Sequence, residues 1–158
     1  MEHTLSILVE NKFGVLARVA GLFSARGFNI SSLAVGETQD ASISQMTIVV
    51  NACDDRILEQ VVKQLHKLID TIAVTDLTRK DFVERELALV KISYQKSSQK
   101  NINALLNEHK QATRILKQGN NEAIVEICTS SSQVAKILEE LGVYGIRQLM
   151  RTGRVAIA

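Results

Sequence analysis

Over the first half of the chain the spacing of apolar residues switches from a period of two to one of 3.6 and back, and then repeats the cycle. Leu5, Ile7 and Val9 alternate in a strand over 4–10. Asn11, Lys12, Phe13 and Gly14 turn the chain, after which Val15, Leu16, Val19, Leu22 and Phe23 recur on one helix face. Gly27 is placed to close that helix in a left-handed cap. A strand over 28–35, a polar turn over 36–40 and a β-branched strand over 43–50 follow. A second helix, capped by Asp54 or Asp55, carries Ile57, Leu58, Val61, Val62, Leu65, Leu68 and Ile69 as its apolar stripe. A strand over 71–77 completes the order βαββαβ. The right-handed crossover rule turns that order into a split βαβ sandwich, with the first and third strands central and the second and fourth at the edges.

The stretch from Thr78 to Glu86 is the most charge-dense of the chain and keeps neither period, so it reads as a linker. Beyond it the same order of elements returns. A strand over 87–94 leads to a helix carrying Ile102, Leu105 and Leu106. Strands over 112–118 and 123–128 flank a turn at Gly119, Asn120 and Asn121. A helix capped by Ser131 or Ser132 buries Val134, Ile137, Leu138 and Leu141 and stops at Gly142, and residues 144–157 supply a last strand or hairpin broken at Thr152 and Gly153. The expected fold is therefore α+β, two ferredoxin-like βαββαβ sandwiches in tandem, with domains at 1–78 and 87–158 joined by a linker at 79–86. A sheet of this size with open edges is marginal alone, and the second strand carries no Lys, Arg or Pro to block pairing. A homodimer along that edge is expected.

Composition narrows the function by exclusion. A net charge of +2 calls for no polyanionic partner, and 4% aromatics without Trp leave little for stacking on nucleic acid. The strand over 44–50 lacks the exposed aromatics that an RNA-binding βαββαβ module uses. No apolar run approaches the roughly 20 residues of a membrane span, and the N-terminus opens directly into a strand pattern without a targeting segment. The expected location is the cytoplasm, or the stroma for a plastid-encoded chain. Cys53 and Cys128 lack metal or redox spacing and read as reduced core thiols. His3, His66 and His109 belong to no ligand or nucleophile pattern and read as surface residues, as do the carboxylates of Glu84, Glu86, Glu139 and Glu140. Phosphate-cradling glycine motifs are missing too, so neither catalytic nor metal-binding residues are assigned.

One constellation stands out where the first strand meets the first helix. Gly14 lets a ligand approach the backbone, and the N–H groups of Gly14, Val15 and Leu16 are open donors of a helix start, which favour a carboxylate. Asn11 and Asn29 each offer an amide that accepts from an ammonium group and donates to a carboxylate. Together these suit a zwitterionic amino acid. The same residues also suffice to shape a tight turn, with Asn29 capping the end of Gly27 and Phe28.

The run from Leu5 through Val19, continued by Gly21 to Leu33, closely resembles the ACT domain of the acetolactate synthase (acetohydroxyacid synthase) small subunit. The segments 45–48, 58–60, 63–70 and 83–91 carry the resemblance on. It implies a non-catalytic regulatory subunit that activates a catalytic large subunit and confers feedback inhibition by valine in branched-chain amino acid synthesis. Thiamine diphosphate, magnesium and FAD are then expected on the large subunit, and no cofactor on this chain. The resemblance places the effector between two ACT domains, where Asn11, Gly14, Asn29 and Ile30 match the family pattern and Gln60 matches a position linked to inhibition. Ala17 stands where a Ser is common, Ala34 where a Thr is, and Gly36 where another small residue is, which leaves leucine and isoleucine as alternative effectors. A stand-alone ACT-domain amino-acid sensor acting on another enzyme or a transcription regulator is the competing reading.

Overall fold

Alternation along the first strand turns Leu5, Ile7 and Val9 to one face of β1 (Glu2–Glu10), where all three are fully buried. In the computed structural model, which describes residues 2–51 and 55–158, β1 joins β2 (Ile30–Glu37), β3 (Ile43–Asn51) and β4 (Thr71–Asp76) in an antiparallel sheet ordered β2-β3-β1-β4. The first and third strands are central, as the crossover rule requires. Helices α1 (Val15–Ser24) and α2 (Asp55–Leu65) pack on one face, and Val15, Val19, Phe23, Leu58, Val61 and Leu65 meet Met46, Ile48, Val50 and the β1 trio in one core. Gly27 takes the expected left-handed conformation at φ 72°, and the Phe28 N–H bonds to the Phe23 carbonyl at 3.1 Å, closing the helix.

Two compact units emerge: residues up to Val83 together with Arg154–Ala158, and Glu84–Gly153. In the second unit, β5 (Val83–Ser93), β6 (Thr113–Gln118), β7 (Glu122–Thr129) and β8 (Ile146–Arg151) are ordered β6-β7-β5-β8, so the arrangement of the first sheet recurs. Helices α3 (Gln99–Glu108) and α4 (Ser131–Gly142) supply Ile102, Leu106, Val134, Ile137 and Leu141 to a core with Val90, Ile92, Val125 and Ile127. The repetition extends to irregularities. The pairing of β1 with β4 slips between Leu8 and Val9, and that of β5 with β8 slips between Lys91 and Ile92, at the same place relative to the strand end.

Several expectations change. The stretch 83–86 is strand rather than linker, because its charges are answered. Glu86 is 3% exposed and receives Arg151 Nε and Nη2 at 2.6 and 2.8 Å, a pair that holds the Arg151 guanidinium above its usual range. Glu84 accepts from the Ser131 N–H. Helix α2 ends at Leu65, and one-turn bonds such as Lys67 N–H to the Gln64 carbonyl then lead the chain away, so Ile69 is exposed instead of extending the stripe. The α4 cap is Ser130, one residue early, whose Oγ accepts from the Gln133 N–H. Cys128 is exposed on β7 rather than buried. His3 is buried, and His109, half-buried, places Nε2 2.8 Å from a Glu140 carboxylate oxygen; neither is a surface residue. Cys53, Asp54 and the side chains of Asp55 and Ile57 fall outside what is described.

The last residues belong with the first unit. Arg154 donates its main-chain N–H to Ser32 Oγ at 2.8 Å, Nη1 to Thr4 Oγ1 at 2.7 Å and Nη2 to Glu2 at 2.9 Å. Ala156 N–H reaches Thr47 Oγ1, so the segment that contains β9 (Val155–Ile157) is tied to β1, β2 and β3 by their hydroxyls. Phe23 is the largest fully buried side chain and stacks edge-on against Phe28 at 6.4 Å. We predict that Phe23→Ala lowers stability by about 3–5 kcal/mol, measured as a reduced urea midpoint at unchanged slope.

Candidate functional site

The loop between β1 and α1 is built by its glycine. Gly14 has φ 78°, a conformation other residues adopt at a cost, and a Cβ there would stand 3.0 Å from Arg18 Nη1. Its carbonyl accepts the Arg18 N–H at 2.9 Å and so starts α1. The Val15 N–H reaches the Lys12 carbonyl only at 3.4 Å, and those of Gly14 and Leu16 meet no backbone acceptor among the described residues. A ligand carboxylate therefore has donors waiting.

Around this loop Asn11, Lys12, Phe13, Gly14, Arg18 and Asp70 line an open depression of about 710 Å³. Its charges are matched in pairs. Lys12 Nζ lies 2.6 Å from Glu10, which raises the ammonium pKa through a hydrogen bond and charge attraction, and Arg18 donates Nε and Nη2 to Asp70 Oδ2 at 3.1 and 2.5 Å. Such a balanced lining suits a ligand that carries both signs. Phe13 is fully exposed at the tip and offers an apolar face.

Asn11 differs from its expected role in one respect. Its Nδ2 is spent on Glu37 Oε1 at 3.0 Å and the Ala41 carbonyl at 2.9 Å, so its amide oxygen alone remains for an ammonium group. The partner hairpin is in turn locked by Asp40, whose carboxylate accepts the Ser42 hydroxyl at 2.7 Å and the Ser42 N–H at 2.9 Å. Those bonds hold the Asp40 pKa below its usual value.

The expected residues do not all gather in one copy. Asn11, Gly14, Val15 and Leu16 lie at one end of the sheet, where Glu10 pairs with Ile43 and Glu37 with Ser44. Ile30 pairs with Val50, which pairs with His3, so Asn29 and Ile30 stand at the opposite end. At about 3.3 Å of rise per residue the gap is on the order of 20 Å. Gln60 is exposed on α2 and is not among the residues lining the loop's depression. The charge pairs of Glu10 with Lys12 and Arg18 with Asp70 were not anticipated from sequence; the second joins residues far apart in the chain, which no local spacing reveals.

A ferredoxin-like sandwich with this glycine-turned loop is the build of a regulatory ACT-domain protein. Residues 5–73 match the family described as the AHAS small subunit-like ACT domain, and residues 85–158 match the small subunit of acetolactate synthase. The chain is 46% identical over 157 residues to a probable acetolactate synthase small subunit of Archaeoglobus fulgidus, covering 99% of this chain and 96% of that one. It is 35% identical to the acetolactate synthase small subunit of Bacillus subtilis, covering 100% and 91%. The crystal structure of the Thermotoga maritima small subunit superposes with a TM-score of 0.88 at 36% identity, covering 99% and 96%. The chain belongs to the acetolactate synthase small-subunit family, whose members are regulatory subunits.

The Asp40 lock gives a pH prediction. A carboxyl whose folded pKa is depressed contributes stability above its ordinary range and loses it as pH falls through the lowered value. In an NMR titration Asp40 should titrate below free aspartate, and Ser42→Ala should move its midpoint part of the way back up; equal midpoints would exclude the hydroxyl's share of the lock.

Proposed function

We propose that this chain binds the catalytic large subunit of acetolactate synthase, raises its activity and makes it sensitive to valine, with the β1–α1 loop as half of the effector site. The observation that carries this reading is the loop itself: main-chain donors for a carboxylate, the Asn11 oxygen for an ammonium, and flanking charges already in pairs. Thiamine diphosphate, magnesium and FAD belong to the large subunit in this reading, and no residue here is assigned to them. Leucine or isoleucine would fit the same polar contacts, and the aliphatic side chain is what separates the three.

The second half of the site comes from a second copy. Among the described residues, edge strand β2 has no neighbour on its outer side within its sheet, and Val35 on it is 45% exposed. Antiparallel pairing of two β2 strands about a two-fold axis brings the Asn29 end of one copy beside the Asn11 end of the other. A valine held across that seam prefers the dimer geometry that fits it, and a preference of about 1–3 kcal/mol is enough to shift a regulatory equilibrium. Affinity in the micromolar to millimolar range, about −8 to −4 kcal/mol, suits the sensing of a metabolite.

Gly14→Asp is the decisive variant, because it forces a side chain at positive φ and sets a carboxylate beside Arg18, where the ligand's own carboxylate would bind. Calorimetry with the full chain should show saturable valine binding that the variant weakens by at least about tenfold, the loss of a charge-assisted contact. Activation of the large subunit should persist while inhibition by valine disappears. Valine affinity equal to that of the parent would refute this placement.

A further inference from the structure

The second unit repeats the bonds by which the loop leaves its sheet; its loop then runs through a 3-10 turn at Lys96–Ser98 rather than a left-handed glycine, and its charge differs. In the first unit the Glu10 N–H donates to the Asp70 carbonyl at 2.9 Å and the Asn11 N–H to the Ser42 carbonyl at 2.7 Å. In the second, the Ser93 N–H donates to the Gly145 carbonyl at 3.0 Å and the Tyr94 N–H to the Asn121 carbonyl at 2.9 Å. Those bonds sit at the same positions relative to the strand ends, since Glu10 faces Ile43 as Ser93 faces Glu122, and the slips of register fall alike. Both loops therefore leave their sheets between the same two neighbours. A cavity of about 450 Å³ opens at this second place too, lined chiefly by Ser93, Tyr94, Gln95, Ser98, Tyr144 and Arg147.

Charge separates the two. The first depression is lined by Lys12, Arg18 and Asp70, with Arg18 paired to Asp70 in the lining and Lys12 paired to Glu10 beside it. Among the described residues no carboxylate lines the second, and Arg147 is the one charged residue in its lining. Arg147, exposed at the rim, donates Nε to Ser93 Oγ at 3.0 Å, which leaves Nη1 and Nη2 without a hydrogen bond or ion pair among the described residues. Two N–H groups on one edge of a planar cation match the two oxygens of a carboxylate. Gln95 and Ser98 add neutral hydrogen-bonding groups, while the Tyr144 ring and the exposed Val143 give an apolar wall. An added ammonium would meet Arg147 with no carboxylate in the lining to receive it.

We propose that this cavity is a second ligand site, taking a small carboxylic acid anion with a short apolar tail and no balancing ammonium group. The Arg147 guanidinium grips the carboxylate, and the Tyr144 and Val143 side chains cover the tail. This goes beyond the effector reading of the first unit and does not depend on it.

Matched probes isolate the claim: 3-methylbutyrate and L-valine share a carbon skeleton and differ by the ammonium group. The ¹⁵N-labelled full chain is titrated with each by NMR, with inorganic phosphate as a third probe. Saturable shifts with 3-methylbutyrate at the amides of Ser93, Tyr94, Gly145 and Arg147 are expected, with valine at least about tenfold weaker there. Arg147→Gln should weaken 3-methylbutyrate at least about tenfold while leaving the amides of residues 11–16 unmoved. Arg147→Lys, which keeps the charge and loses the planar fork, should also bind more weakly. No saturable shift at these amides up to about 50 mM, far above a millimolar dissociation constant, would overturn the proposal. So would valine or phosphate binding as tightly as 3-methylbutyrate, or unchanged affinity in both Arg147 variants. Valine failing to shift residues 11–16 would count against the first-unit reading alone.

Discussion

Hydrogen bonding along β3 decides where every other feature can lie. Pairing Ile43 with Glu10 and Val50 with Ile30 carries β1 and β2 in the same direction on either side of it. The loop that follows β1 and the turn that precedes β2 then fall at opposite ends of the sheet. Residues that look like one site in sequence are thus held apart within a copy, and only a second copy can reunite them. The edge position of β2 and the separation of Asn11 from Asn29 both follow from how β3 pairs with its two neighbours.

The second sandwich repeats the strand order of the first. Backbone bonds that set the exit of the loop are repeated in the second unit, whereas the side chains around them are not. Topology conserves a concave place at the strand end, and the side chains choose what it holds. Paired charges around Gly14 suit a zwitterion; a lone guanidinium at Arg147 suits an anion. The segment from Arg154 ties the end of the chain to hydroxyls on three strands of the first sheet, including Ser32 on the strand that starts at Ile30.

Much of this was legible in the residues. Periodicity located both sandwiches because each element buries one face, and Gly27 marked the end of α1 because the left-handed cap needs a residue without Cβ. Readings based on isolated charge failed where the answering charge is distant in sequence. Glu86 looked solvated until Arg151 arrived beside it on β8, and His109 looked exposed until Glu140 came from α4. Ile69 fitted the helical period but lies past the point where α2 gives way to tighter turns. At the loop, the turn at Gly14 was readable from residue type and order. The consumption of the Asn11 donors by Glu37 and Ala41 was not, because it depends on how the β2–β3 hairpin closes.

If one effector molecule touches the loop of one copy and the strand of another, mixed dimers will show it. A chain carrying Gly14→Asp and a chain carrying Asn29→Ala each have both sites damaged when paired with themselves. Combined, they form one site from two intact halves and one from two damaged halves. Valine titration of the purified mixed dimer should recover one binding site per dimer at the parent affinity, while each pure variant binds at least about tenfold more weakly. A mixed dimer that binds no better than its parents would contradict a site shared between copies.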